Sequence, residues 1–153
     1  MVKNLSKSDV ERILPHRAPF LFVDEIVEVG VGSYAIGKKV FKEDEYFFKG
    51  HFPNNPIVPG VILIEFSAQV SAFMILLHDD YKDLFGYLLE VEDFRFLKKV
   101  LPGMEVYCKS EILDFRHNIA RTKVEIFNGD TIFSKGVIKA YFVDKKGGLK
   151  WEK

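Results

Sequence analysis

The run from Val61 to Leu77 constrains the fold of this chain more than any other segment. It is apolar almost all the way round a helical projection, interrupted only by Glu65, Ser67, Gln69 and Ser71. A helix with no solvated face has to be enclosed by the rest of its protein. The run is short for a bilayer and lacks basic anchors at its ends, so a buried helix in a soluble protein is the expectation. The remaining segments must therefore build a container around it.

They read mostly as strands. Phe20 to Val29 and Ser33 to Phe41 are two β-runs joined at Gly30-Val31-Gly32. Phe85 to Leu97, Met104 to Phe115, Ile119 to Phe127 and Thr131 to Val143 continue the pattern. In one of them Ala120, Thr122, Val124 and Ile126 alternate with Arg121, Lys123, Glu125 and Phe127, the period of a half-buried strand. Pro102-Gly103 marks a turn, and Asn128-Gly129-Asp130 is a hairpin signal. Ahead of them, Ser8-Asp9-Val10-Glu11 has the spacing of a capping box and opens a short helix to about Leu14, where Pro15 stops it. Five or six antiparallel strands curled around one long apolar helix define an α+β architecture. The open edges of such a sheet favour a homo-oligomer. At 153 residues the chain suits one domain, 1–153, with a loose polar tail from about Lys145.

Charge and cysteine content narrow the function classes. Lys+Arg and Asp+Glu number 22 each, so there is no basic excess for a broad nucleic-acid surface. Met1 to Ser8 has no apolar leader core, and the lone cysteine, Cys108, lies in a strand-like run, so a reducing, cytoplasmic setting and an inert buried thiol are expected. No two histidines share metal-ligand spacing, and there is no glycine-rich phosphate loop. His16, His78 and His117 read as a structural hydrogen-bonding residue, a helix-end residue and a turn residue.

Chemistry concentrates where the helix begins. His51 stands in a proline-punctuated loop that runs into Pro59-Gly60. The first amides of a helix lack intrahelical partners and carry the positive end of its dipole, which suits an oxygen gaining negative charge, such as a thioester carbonyl turning into an enolate. Glu65 follows one turn inside, flanked by Ile62, Leu63, Ile64 and Phe66, with Gln69 on its own face. Desolvation there keeps a proton on the carboxyl. An imidazole that accepts a proton and a carboxylic acid that donates one suit elimination of water. A structural ion pair for Glu65 and an incidental role for a loop histidine are the alternatives that either residue alone leaves open.

Three blocks carry a resemblance. They are Leu14-Pro15-His16-Arg17-Ala18-Pro19-Phe20-Leu21-Phe22-Val23-Asp24; Gly50-His51-Phe52-Pro53 through Pro56-Ile57-Val58-Pro59-Gly60-Val61 to Glu65, Ala68 and Gln69; and Phe94-Arg95-Phe96 through Val100-Leu101-Pro102-Gly103. In this order they resemble the (3R)-hydroxyacyl-[acyl-carrier-protein] dehydratases of type II fatty acid synthesis, which have the hot-dog fold. The resemblance implies His51 and Glu65 as the catalytic pair, contributed by opposite subunits of a homodimer, with dimers assembling further as a trimer of dimers. It implies the Gly60 backbone amide on the thioester carbonyl, and Val61, Phe52, Phe66 and Gln69 beside an acyl chain carried by acyl carrier protein. It implies no cofactor and no metal. Lys98 and Lys99 are candidates for docking the acidic carrier. Phe66 stands where a smaller residue is common, which bears on the tunnel's shape. A related branch that also isomerises the double bond typically has Asp at the position of Glu65. A hot-dog thioesterase, a non-catalytic acyl-binding member and a dehydratase of a specialised polyketide-like pathway are the competing readings.

Overall fold

A computed structural model describes residues 1–144, so the polar tail expected from Lys145 lies outside the described residues. The elements run β1 (Val2–Leu5), α1 (Lys7–Ile13), β2 (Glu25–Gly30), β3 (Tyr34–Val40), a 3-10 turn (Tyr46–Lys49), α2 (Gly60–Leu76), β4 (Leu84–Phe96), β5 (Glu105–Arg116), β6 (Ile119–Asn128) and β7 (Thr131–Asp144). The strands form one antiparallel sheet in the order β1-β2-β3-β5-β6-β7-β4. It wraps α2, which contacts β2 through β7. This is the hot-dog arrangement expected from the sequence.

The enclosure follows from the helix. Leu63, Phe66, Val70, Phe73, Met74 and Leu76 are all buried, and they point in several directions around the axis. The inward residues of β6 (Ala120, Thr122, Val124 and Ile126) meet them, as their alternation requires. Gly37 on β3 permits the closest approach: a Cβ built there would stand 2.6 Å from Val70 Cγ2. The hydroxyls of α2 are satisfied internally. Ser67 and Ser71 donate to the Leu63 and Ser67 carbonyls at 2.9 and 2.7 Å. Cys108 is fully buried, and that burial pushes its thiol up to about 12.

Two hairpins close as their turn residues demand. His117 and Asn118 both adopt positive φ (54° and 61°) between β5 and β6, a combination that suits the twist of the flanking strands. Gly129 (φ 57°) turns β6 into β7. His117 is thus the turn residue expected, and His78 lies just past the end of α2.

Three expectations needed correction. The capping residue of α1 is Ser6 rather than Ser8: its hydroxyl accepts the Asp9 amide while the Asp9 carboxylate takes the Ser6 amide. The spacing occurs twice in overlap, and the earlier copy wins because the chain leaves β1 at Leu5. The strand expected from Phe20 starts only at Glu25. Phe20 to Asp24 is apolar but irregular, because the Phe22 amide is taken by the Gln69 side chain at 2.8 Å rather than by a neighbouring strand. Finally, β1 makes the sheet seven-stranded. With Lys3 and Asn4 exposed, its four residues carry too little periodicity to be read from sequence.

Candidate active site

The His51 loop is built from its own backbone. The 3-10 turn at Tyr46–Lys49 ends at Gly50, and the His51 amide donates to the Phe47 carbonyl at 3.1 Å. The Phe52 amide donates to Asn55 O (3.0 Å) and the Asn55 amide to Phe52 O (2.9 Å), closing a tight turn over Pro53-Asn54. The Ile57 amide returns to the His51 carbonyl (3.0 Å), and the Val58 amide ties the loop to Val100 O (2.9 Å). The imidazole lies stacked on the Phe52 ring, with centroids 4.0 Å apart. Its Nδ1 is 3.0 Å from the Ile57 carbonyl oxygen. A carbonyl can only accept, so Nδ1 carries the proton of the neutral ring and Nε2 presents its lone pair.

That loop delivers the chain to α2. Pro59 is the residue before the helix, and no side chain caps it. In-helix bonding begins with Ile62 N–H to Pro59 O at 3.0 Å, so the Gly60 and Val61 amides precede it. The Phe96 ring covers Gly60 so closely that a Cβ there would stand 2.9 Å from it, which explains the glycine. Val61 is 71 % exposed.

Glu65 is half-buried one turn inside α2. Its Oε2 accepts from Gln69 Nε2 at 2.9 Å and lies 3.6 Å from His16 Nε2. Burial raises the proton affinity of the carboxyl, while the Gln69 hydrogen bond pulls the other way. Gln69 cannot turn away: its Oε1 takes the Phe22 amide and its Nε2 also donates to the Phe20 carbonyl at 3.0 Å. A small enclosed cavity of about 40 Å³ starts at Glu65 and His16 and runs along the helix to Leu76, past Ala68 and Ala72. A wider opening bordered by Glu65, His16, Phe20, Tyr87 and Leu88 leads from it to the surface.

Among the described residues no hydrogen bond, ion pair or ring contact joins His51 to Glu65. His51 bonds Phe47 and Ile57 and stacks on Phe52, and it borders neither cavity at Glu65. Gln69 does join Glu65, as its spacing on the helix foretold. Phe66 does not: it is wholly buried, edge-on to Phe41, and outside the cavity lining. Its side chain points into the core because it lies about a third of a turn away from Glu65's face. Phe52 is 48 % exposed. Lys98 and Lys99 are exposed at the exit of β4, where the Lys98 amide donates to Phe133 O.

Sequence reasoning gave His16 too little. The Pro15-His16-Arg17 loop folds against α2, with the Arg17 guanidinium donating to the Leu14 and His16 carbonyls. No local signal announces that contact. The cavity does have a signal in the sequence, though Phe52 and Phe66 were expected to line it: Glu65, Ala68, Gln69, Ala72 and Leu76 share one helical face, and small residues along the face of a lone carboxylate mark empty space beside it. Among the described residues no group of three or more His, Cys, Asp or Glu is arranged to hold a metal ion, and no helix is long and apolar enough to cross a membrane.

The sheet wrapped on one apolar helix belongs to a chain of the FabA-like family: the family model of the FabA-like domain matches residues 14–140. Within it, the chain is similar to enzymes named 3-hydroxyacyl-[acyl-carrier-protein] dehydratase FabZ. It is 44 % identical to the one from Clostridium botulinum over 73 % of this chain and 78 % of that protein. It is 34 % identical to the one from Acetivibrio thermocellus over 92 % of this chain and 96 % of that protein. Among solved structures, the dehydratase heterocomplex ApeI:P from Xenorhabdus doucetiae shares the fold, with a TM-score of 0.77 at 20 % identity, covering 89 % of this chain and 91 % of that one.

Proposed function

We propose that this protein is a hydro-lyase that converts (3R)-3-hydroxyacyl thioesters on acyl carrier protein to trans-2-enoyl thioesters in fatty acid synthesis. The observation that carries the reading is a complementary pair of proton-transfer groups. His51 has its Nδ1 committed to a carbonyl, which leaves Nε2 as the ring's other nitrogen, while desolvation raises the proton affinity of Glu65 beside a cavity. The FabZ relatives, named for this reaction, add to it.

The chemistry follows from those groups. The thioester carbonyl docks on the Gly60 amide at the positive end of α2, which acidifies the C2–H bond. His51 Nε2 takes the C2 proton. The electron pair of that bond forms the C2–C3 double bond, and the C3–O bond breaks as Glu65 protonates the departing hydroxyl. Water leaves, His51 holds one proton more and Glu65 one fewer, and a proton returned from His51 to Glu65 resets the site. The reading needs no cofactor.

The site is shared between two copies of the chain. Strand β4 is one edge of the sheet and exposes Tyr87, Leu88, Val91 and Phe96. Phe96 lies against Gly60, whereas Tyr87 and Leu88 border the opening at Glu65. Antiparallel two-fold pairing about the middle of β4 sets the first end of one copy opposite the second end of its partner, which offers His51 of one subunit to Glu65 of the other. A trimer of such dimers, docking of the acidic carrier on Lys98 and Lys99, and a cytoplasmic location complete the proposal.

The test is the purified protein with a 3-hydroxyacyl-acyl carrier protein, products read by mass spectrometry. Loss of one water, reversible from the enoyl side, is expected; release of free acid would make the protein a thioesterase instead. His51→Ala and Glu65→Gln each lower turnover by orders of magnitude, and mixed dimers of the two inactive variants recover part of it. Recovery of none, with mixed dimers verified, would refute the shared site.

A further inference from the structure

Among the described residues, His16 is the half-buried titratable side chain that lies beside the proposed acid and has no part in the steps above. Its ring nitrogen Nδ1 is buried with no hydrogen-bond partner, while Nε2 points at Glu65 Oε2 from 3.6 Å. A buried N–H with no acceptor costs more than a bare ring nitrogen, whose lone pair is the weaker obligation. The proton of the neutral ring therefore sits on Nε2, aimed at the carboxyl. Gln69 Nε2 donates to the same oxygen at 2.9 Å. Gln69 has no freedom in that role, since the Phe22 amide and the Phe20 carbonyl fix which end of its amide faces Glu65. Gln69 thus bonds Oε2, and His16 Nε2 stands off the same oxygen just beyond hydrogen-bond length.

We propose that His16 is a positioning residue for the Glu65 carboxyl: together with Gln69 it occupies Oε2 with N–H donors, so that Oε1 alone can carry the proton delivered to the departing hydroxyl. The inference rests on the dehydratase reading. A carboxylic acid whose carbonyl-type oxygen is held by donors has its O–H on the other oxygen, and Glu65 itself borders both cavities. The separation of 3.6 Å is long for a hydrogen bond, as is common before substrate tightens a site. The ring donates best as a neutral imidazole, and its burial lowers its proton affinity, which keeps it neutral near pH 7. The charged and titratable groups around it are few. Among the residues bordering the two cavities they are Glu65 on α2 and Tyr87 on β4, and Arg17 lies on its own loop with its guanidinium turned to backbone carbonyls.

The arrangement separates a donor role from a packing role. His16→Gln keeps an N–H within reach of Oε2, and His16→Leu keeps bulk without a donor. In His16→Leu, kcat falls about tenfold or more while KM stays within about threefold, because the interaction is realised at the acid and not in substrate binding. His16→Gln restores most of kcat. A readout independent of turnover is the Glu65 carboxylic-acid carbonyl band in infrared difference spectra, identified by its loss in Glu65→Gln. Removing a donor from the ionised carboxyl raises its proton affinity, so in His16→Leu the band survives to a pH higher by about half a unit to one unit, and in His16→Gln it titrates near the wild-type pH. Should His16→Leu fail to fold, His16→Ser is read in its place. Equal loss of kcat in the Gln and Leu variants with an unmoved Glu65 midpoint would overturn the proposal. If the wild-type protein dehydrates no 3-hydroxyacyl thioester, the functional reading falls, and the infrared midpoint still decides whether His16 acts on Glu65.

Discussion

Replacing Gln69 by leucine dissects the most heavily bonded side chain near the site. Gln69 is 1 % exposed and spans three groups: the Phe22 amide, the Phe20 carbonyl and the Glu65 carboxyl. Leucine fills nearly the same space and satisfies none of them. The Phe22 amide suffers most, since Phe22 is 1 % exposed and water cannot replace the lost acceptor. An orphaned buried donor costs about 1–3 kcal/mol. The Phe20 carbonyl belongs to a half-exposed residue and can turn to solvent, so its loss is nearer about 0.5–1 kcal/mol. Burial of an apolar group instead of an amide gives some of this back. The net destabilisation expected is about 2–3 kcal/mol, which for a domain of this size lowers Tm by roughly 4–12 °C. Urea unfolding followed by fluorescence measures the first quantity and calorimetry the second. A loss under about 0.5 kcal/mol would refute the assignment of Gln69 as the clamp between α2 and the Phe20–Asp24 segment. The same change removes a hydrogen bond that favours ionised Glu65, so the carboxyl must hold its proton to higher pH.

Two further outcomes test the packing and the electrostatics. Burial raises the Glu65 proton affinity in the folded state. Its contribution to stability is therefore fully present below the unfolded carboxyl pKa and is lost as pH rises through the higher folded value. Glu65→Gln has no such loss, so its stability relative to wild type improves as pH rises above the unfolded carboxyl pKa in parallel denaturation series; a flat difference would mean that Glu65 is not desolvated. Gly37→Ala drives a Cβ to 2.6 Å from Val70 Cγ2 and costs about 1–3 kcal/mol of unfolding free energy. Adding Val70→Ala relieves that clash, so the double variant is more stable than the sum of the singles predicts; simple additivity would place the strain elsewhere.

The architecture was legible because its signals are local. An apolar run without a polar face must be enclosed, and α2 is. Alternation in Ile119–Asn128 announces which residues point inward, and the turn at Asn128-Gly129 pairs β6 with β7 as hairpin chemistry requires. That Gln69 meets Glu65 could be read from spacing, because a carboxylate within an apolar helix and an amide on its own face are unusual enough to be informative. Tertiary structure decided what depends on segments distant in sequence. Whether Phe22 belongs to a strand turned on a side chain 47 residues away in sequence. Which serine caps α1 turned on where β1 ends. Phe66 left the cavity for the core because its direction around α2 faces Phe41, which composition cannot weigh. Two relations were closed to the sequence altogether. One is that His16 comes to rest 3.6 Å from Glu65, which depends on how a proline-bounded loop packs on a helix far along the chain. The other is that His51 borders neither cavity at Glu65: a helix start can be read from residues, but what lines a cavity is fixed only when the sheet has closed around the helix.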